Sequence, residues 1–72
     1  MPLIDIQVMK GVFDDSEKAR MIEAVTKGFG DIAGQAMAEA TSVRIHEINS
    51  GSWGYAGKPI YLEDALAIKE RG

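Results

Sequence analysis

Cysteine is absent from this chain of 72 residues, and histidine occurs once. The first absence excludes disulfides and thiol nucleophiles; the two together exclude zinc sites built on Cys or several His. Basic residues are outnumbered, with Lys and Arg totalling 8 against 11 Asp and Glu, for a net charge of −3. A nucleic-acid binder would normally be basic, so no nucleic-acid partner is expected. No stretch approaches the roughly 18 consecutive apolar residues of a spanning helix, so no membrane partner is expected either. The opening Met1-Pro2-Leu3-Ile4-Asp5 lacks the basic segment of a secretion signal, and the expected location is cytoplasmic.

A single domain over residues 1–72 is the natural reading of this length. A lone chain of this size buries only about 60–65% of the surface that its unfolded form exposes. Its core seldom supplies more than roughly 3–5 kcal/mol. With disulfides and Cys- or His-rich metal sites excluded, oligomerisation is the expected support.

Residues 3–9 place Ile4, Ile6 and Val8 in alternation with Asp5 and Gln7, the period of a half-buried strand ended by Gly11. Asp14 with Glu17 three residues on forms a capping-box pattern. Ile22, Val25, Phe29 and Ile32 then recur at helical spacing, predicting an apolar stripe, while Glu23 and Lys27 are spaced for an ion pair. Gly28, Gly30 and Gly34 weaken the end of this helix. Their G-x-G-x-x-x-G spacing is not that of a dinucleotide-binding loop.

Ala36 to Glu39 has room for a further helical turn. Thr41 to Ile48 reads as a second strand, with Val43 and Ile45 on one face and Arg44 and His46 on the other. A long helix between two strands favours a parallel pair. Two strands and one helix leave a sheet face uncovered, which a second copy of the chain would hide. Asn49 to Gly57 predicts a loop or hairpin carrying Trp53 and Tyr55. Gly51 to Lys58 lacks the spacing of a phosphate loop. Leu62, Ala65, Leu66 and Lys69 predict a short terminal helix. The fold class is α/β, a β-α-β unit with a short C-terminal hairpin and helix, completed by oligomerisation.

Reactive groups are few. No Ser-His-Asp pattern is legible, and the lone His46 reads as a structural or interface residue. Met1-Pro2 stands out because removal of Met before a small residue exposes a secondary amine. An apolar or cationic setting would lower its pKa toward neutrality and make it a proton carrier.

The chain resembles the tautomerase superfamily, and within it the short subunits of the 4-oxalocrotonate tautomerase type. The carriers are Met1-Pro2-Leu3-Ile4 with alternation to Met9 and Gly11, and the capped helix with Glu23-Ala24-Val25. Thr41-Ser42-Val43-Arg44-Ile45 and Trp53-Gly54-Tyr55-Ala56-Gly57 follow in the same order. Together they cover most of residues 2–57. The resemblance implies a cofactor-independent keto–enol tautomerase without a metal, acting on a small carboxylate such as a 2-hydroxydienoate or enolpyruvate. Terminal Pro2 would be the base, and Arg44 would bind a carboxylate and polarise the neighbouring oxygen. Trp53, with Met9 and Val12, would wall the pocket. A homohexamer, sites shared between subunits and a place in aromatic catabolism are implied with it.

One departure from the family pattern is visible. After Gly11 an arginine for a distal carboxylate is expected, but Val12 and Phe13 stand there. Lys10, His46 and Tyr55 are the candidates to replace it. The loss favours a monocarboxylate with an apolar tail, such as phenylenolpyruvate, over the dicarboxylate 2-hydroxymuconate. The alternatives are hydration, dehalogenation or decarboxylation of an unsaturated acid, with Glu47 or Asp5 activating water, and a non-catalytic oligomeric paralogue.

Overall fold

Strand alternation, one long capped helix and a second alternating segment give the first two-thirds of the chain. The computed structural model describes residues Met1–Gly72 and orders them as β1 (Leu3–Met9), α1 (Asp15–Ala33), α2 (Gln35–Glu39), β2 (Ser42–Ile48), β3 (Trp53–Tyr55), β4 (Lys58–Ile60) and α3 (Leu62–Glu70). β1 and β2 pair in parallel, with Leu3 opposite Ser42, Asp5 opposite Arg44 and Met9 opposite Ile48. β3 and β4 form a separate antiparallel hairpin.

The start of α1 is fixed by the predicted capping box. Glu17 N–H donates to Asp14 Oδ1 at 2.8 Å, and Asp14 N–H donates to Glu17 Oε1 at 3.0 Å. Both otherwise unpaired helix donors are thereby satisfied. At the other end, a Cβ built on Gly30 would stand 2.6 Å from Ala38 Cβ. Glycine at this position lets α2 fold back closely on α1.

Ile4, Ile6, Val8, Val43 and Ile45 are half-buried on the sheet face that α1 covers, while Asp5, Gln7, Arg44 and His46 are exposed on the other. The predicted helical stripe is only partly covered. Val25 and Phe29 are half-buried, but Ile22 is 40% and Ile32 93% exposed. For Ile32, at the end of the helix, the reason is length: 19 helical residues span about 28 Å, and 7 strand residues only about 23 Å. The last turn of α1 therefore overhangs the sheet. Lys27 pairs with Asp31 at 3.0 Å and not with Glu23 as the spacing predicted. Exposed pairs of this kind are worth only tenths of a kcal/mol, so the choice between partners is weakly set.

Only Met9 and Val12 fall below a tenth exposed, at 5% and 7%. The radius of gyration is 14.5 Å, against about 11 Å for a compact domain of this length. The accessible surface of 5353 Å² exceeds by about 1,000 Å² the value expected for a folded monomer of 7.8 kDa. No helix is long and apolar enough to cross a membrane.

Candidate active site

β1 carries Pro2 at its head. The Pro2 carbonyl accepts the Ser42 N–H at 2.9 Å, which ties the start of β1 to the start of β2. Pro2 is half-buried, and Met1 ahead of it is 96% exposed. While Met1 is attached, the Pro2 nitrogen is a tertiary amide and cannot take a proton. Arg44 stands opposite Asp5 on the open sheet face. It makes no ion pair within the chain, so its guanidinium fork is available to a carboxylate.

On the same face, His46 Nε2 lies 3.1 Å from Asp5 Oδ1. Glu47 points to the opposite face, where its Oε1 accepts from Lys18 Nζ at 3.2 Å. That hydrogen bond, followed by the one to Asp15, holds the Lys18 ammonium above its ordinary pKa.

The other end of the sheet holds a groove of about 670 Å³, within the range of small-molecule sites. Met9 and Val12 line it together with Phe13, Trp53, Ile68 and Lys69. Three elements make its walls: the loop after β1, the β3–β4 hairpin and α3. The hairpin turn sets Ala56 and Gly57 both at positive φ, 52° and 80°, the pairing of a type I′ turn. The start of α3 is tied down by Leu62 N–H donating to Ser50 Oγ at 2.8 Å.

Its far end is held by Lys69. Nζ donates to the Val12 carbonyl at 2.9 Å and to Glu17 at 2.8 Å, and lies 5.1 Å from the centre of the Phe13 ring. The hydrogen bond from Lys69, and next the one from the Asp14 backbone, hold the Glu17 carboxyl below the usual carboxylate range.

Met9, Val12 and Trp53 thus share one groove. Pro2 lies at the opposite end of β1, about 23 Å away by strand rise. One chain does not bring the Pro2 nitrogen to this groove. Of the three candidates for a replacement charge or donor, Tyr55 lines the groove, Lys10 is exposed without an ion pair, and His46 is engaged by Asp5. Lys69 was not singled out by the sequence for this place. Its helical spacing was legible, but its partners lie 52 and 57 residues away in the chain.

The tautomerase family, described as tautomerase enzyme, matches residues 2–62. No curated protein sequence matches the chain significantly. A 4-oxalocrotonate tautomerase isozyme from Methylibium petroleiphilum has a TM-score of 0.72 to this fold and 28% identity, over 81% of this chain and 90% of its own. YwhB, a homologue of 4-oxalocrotonate tautomerase, gives 0.72 and 26%, over 81% and 92%. TomN, a homologue from the tomaymycin biosynthetic pathway, gives 0.74 over 99% and 97%; at 24% identity the likeness is one of fold.

Proposed function

The chain belongs to the tautomerase family, and from that membership we propose that it is a cofactor-independent keto–enol tautomerase of 2-oxo acids. Pro2, once Met1 is removed, is the general base. Its free secondary amine takes the proton of an enol hydroxyl, or of an acidic carbon, and returns it to a conjugated position. Arg44 binds the substrate carboxylate and the adjacent oxygen. Trp53, Met9 and Val12 receive the remainder of the substrate in an apolar wall. Exclusion of water there disfavours the charged amine and keeps it a base near neutral pH.

The observation that carries this reading is that Pro2 heads β1 while the neighbouring strand β2 carries an unengaged Arg44, opposite Asp5. The site is completed between copies of the chain, because about 23 Å separates Pro2 from the groove. An excess surface of about 1,000 Å² is close to one partner's share of a standard interface. With Met1 removed, Ile32 and Tyr55, 93% and 74% exposed, are the large apolar side chains most available to such an interface. A homohexamer is the proposed assembly.

The preferred substrate is a monocarboxylate with an apolar tail, phenylenolpyruvate ahead of 2-hydroxymuconate in kcat/KM. The test compares protein with and without Met1, separated by intact mass. Met1-free protein is expected to turn over phenylenolpyruvate and Met1-bearing protein is not. Equal rates from the two would remove Pro2 from the mechanism.

A second reading, addition of water to an unsaturated acid, has one observation in its favour. Asp5 stands beside Arg44 and within 3.1 Å of His46, so a carboxylate faces the same side as the anion-binding fork. Halide release from 3-chloroacrylate faster than any tautomerisation would favour it.

A further inference from the structure

Lys69 is the only ammonium lining the apolar groove, and its charge is already matched. Glu17 sits 2.8 Å from Nζ, the Val12 carbonyl takes a second N–H, and the Phe13 ring covers one side. Glu17 is itself fixed, since its carboxylate also accepts the Asp14 N–H at the start of α1. A ligand carboxylate brought to Lys69 would therefore meet a held, ionised carboxylate within a few ångströms. Like charges at such separations repel each other. An uncharged tail meets no such opposition and gains the apolar surface of Met9, Val12, Phe13, Trp53 and Ile68.

We propose that Glu17, by occupying Lys69, is a specificity-determining residue that makes the groove accept an apolar substrate tail and reject a distal carboxylate. The inference deepens the tautomerase reading and rests on it for the identity of the ligand. It also assigns a purpose to α3, which begins at Leu62, where the family match ends. That helix brings Lys69 to the Val12 carbonyl and to Glu17, and so supplies the ion pair beside this wall.

The experiment uses Trp53, the chain's one tryptophan, as reporter. Cinnamate, an apolar monocarboxylate, and cis,cis-muconate, a dicarboxylate, are titrated into the wild-type protein and Glu17→Gln. Glutamine at this position retains the capping box, so the start of α1 is preserved. Wild-type protein is expected to bind cinnamate at least tenfold more tightly than muconate. In Glu17→Gln muconate should tighten at least fivefold while cinnamate changes less than twofold. The double variant Glu17→Gln with Lys69→Met should lose that gain.

An unchanged preference in Glu17→Gln overturns the proposal. So does Trp53 fluorescence that responds to neither ligand, the result expected if another copy of the chain fills the groove. The two readings fail separately. A shifted preference without turnover of phenylenolpyruvate removes the tautomerase reading and keeps the groove's selectivity. Turnover with an unshifted preference removes the selectivity alone.

Discussion

Glu17 Oε2 lies 2.8 Å from Lys69 Nζ, joining the first turn of α1 to the last turn of α3. The same carboxylate closes the capping box with Asp14. One side chain thus fixes a helix start and anchors the C-terminal helix.

This arrangement gives α3 a pH dependence of known sign. The Lys69 hydrogen bond, then the Asp14 backbone, lower the Glu17 pKa in the folded chain. A carboxyl with a lowered folded pKa contributes stability that is full above its unfolded value and is lost as pH falls through the folded value. Docking of α3 is therefore expected to hold at neutral pH and to loosen in acid below 4.5, the ordinary glutamate value. Trp53 emission followed against pH should show this change, and Glu17→Gln should flatten it. An acid response that survives in Glu17→Gln contradicts the assignment.

Replacing Pro2 tests the base directly. Pro2→Ala exposes a primary amine after Met1 removal, a group that still binds a proton but with altered basicity. A general base contributes roughly 10²–10⁴-fold, so the partial replacement should lower kcat by about 10- to 100-fold and shift the pH–rate profile. A wild-type rate and profile would place the base elsewhere.

Arg44→Ala removes one charge-assisted contact to a substrate carboxylate. Such contacts are worth about 1.5–3 kcal/mol, so kcat/KM should fall roughly 10- to 150-fold. Arg44 is exposed and forms no ion pair within the chain. Monomer stability should therefore change by less than about 0.5 kcal/mol. Thermal unfolding, size-exclusion chromatography and steady-state kinetics on one preparation distinguish loss of binding from loss of assembly.

Ala56 holds a φ of 52° in the hairpin turn. This conformation costs a residue with a Cβ roughly 1–2 kcal/mol, and Asn-Gly is the favoured pair for a type I′ turn. Ala56→Asn should raise stability by about 0.5–1 kcal/mol, or a few degrees in Tm, without changing kcat/KM. A fall in Tm would mean that the Ala56 methyl is needed where it stands.

Local pattern alone determined most of the elements. Alternation at Ile4, Ile6 and Val8 marks β1, Asp14 with Glu17 marks the start of α1, and Leu62, Ala65, Leu66 and Lys69 mark α3. Each signal lies within a few residues, where backbone sterics and periodicity act. The parallel pairing followed from the helix between the strands. Pro2, Arg44 and Trp53 stand out through residue type and family likeness.

Tertiary structure decided what depends on distant partners. Ile32 belongs to the apolar stripe by spacing yet is exposed, because α1 is longer than the sheet beneath it. Lys69 reaches Val12 and Glu17 across more than 50 residues of chain, and no periodicity encodes such a meeting. The groove is tertiary as well: Met9, Val12, Trp53 and Ile68 come from three separate parts of the chain and line one space.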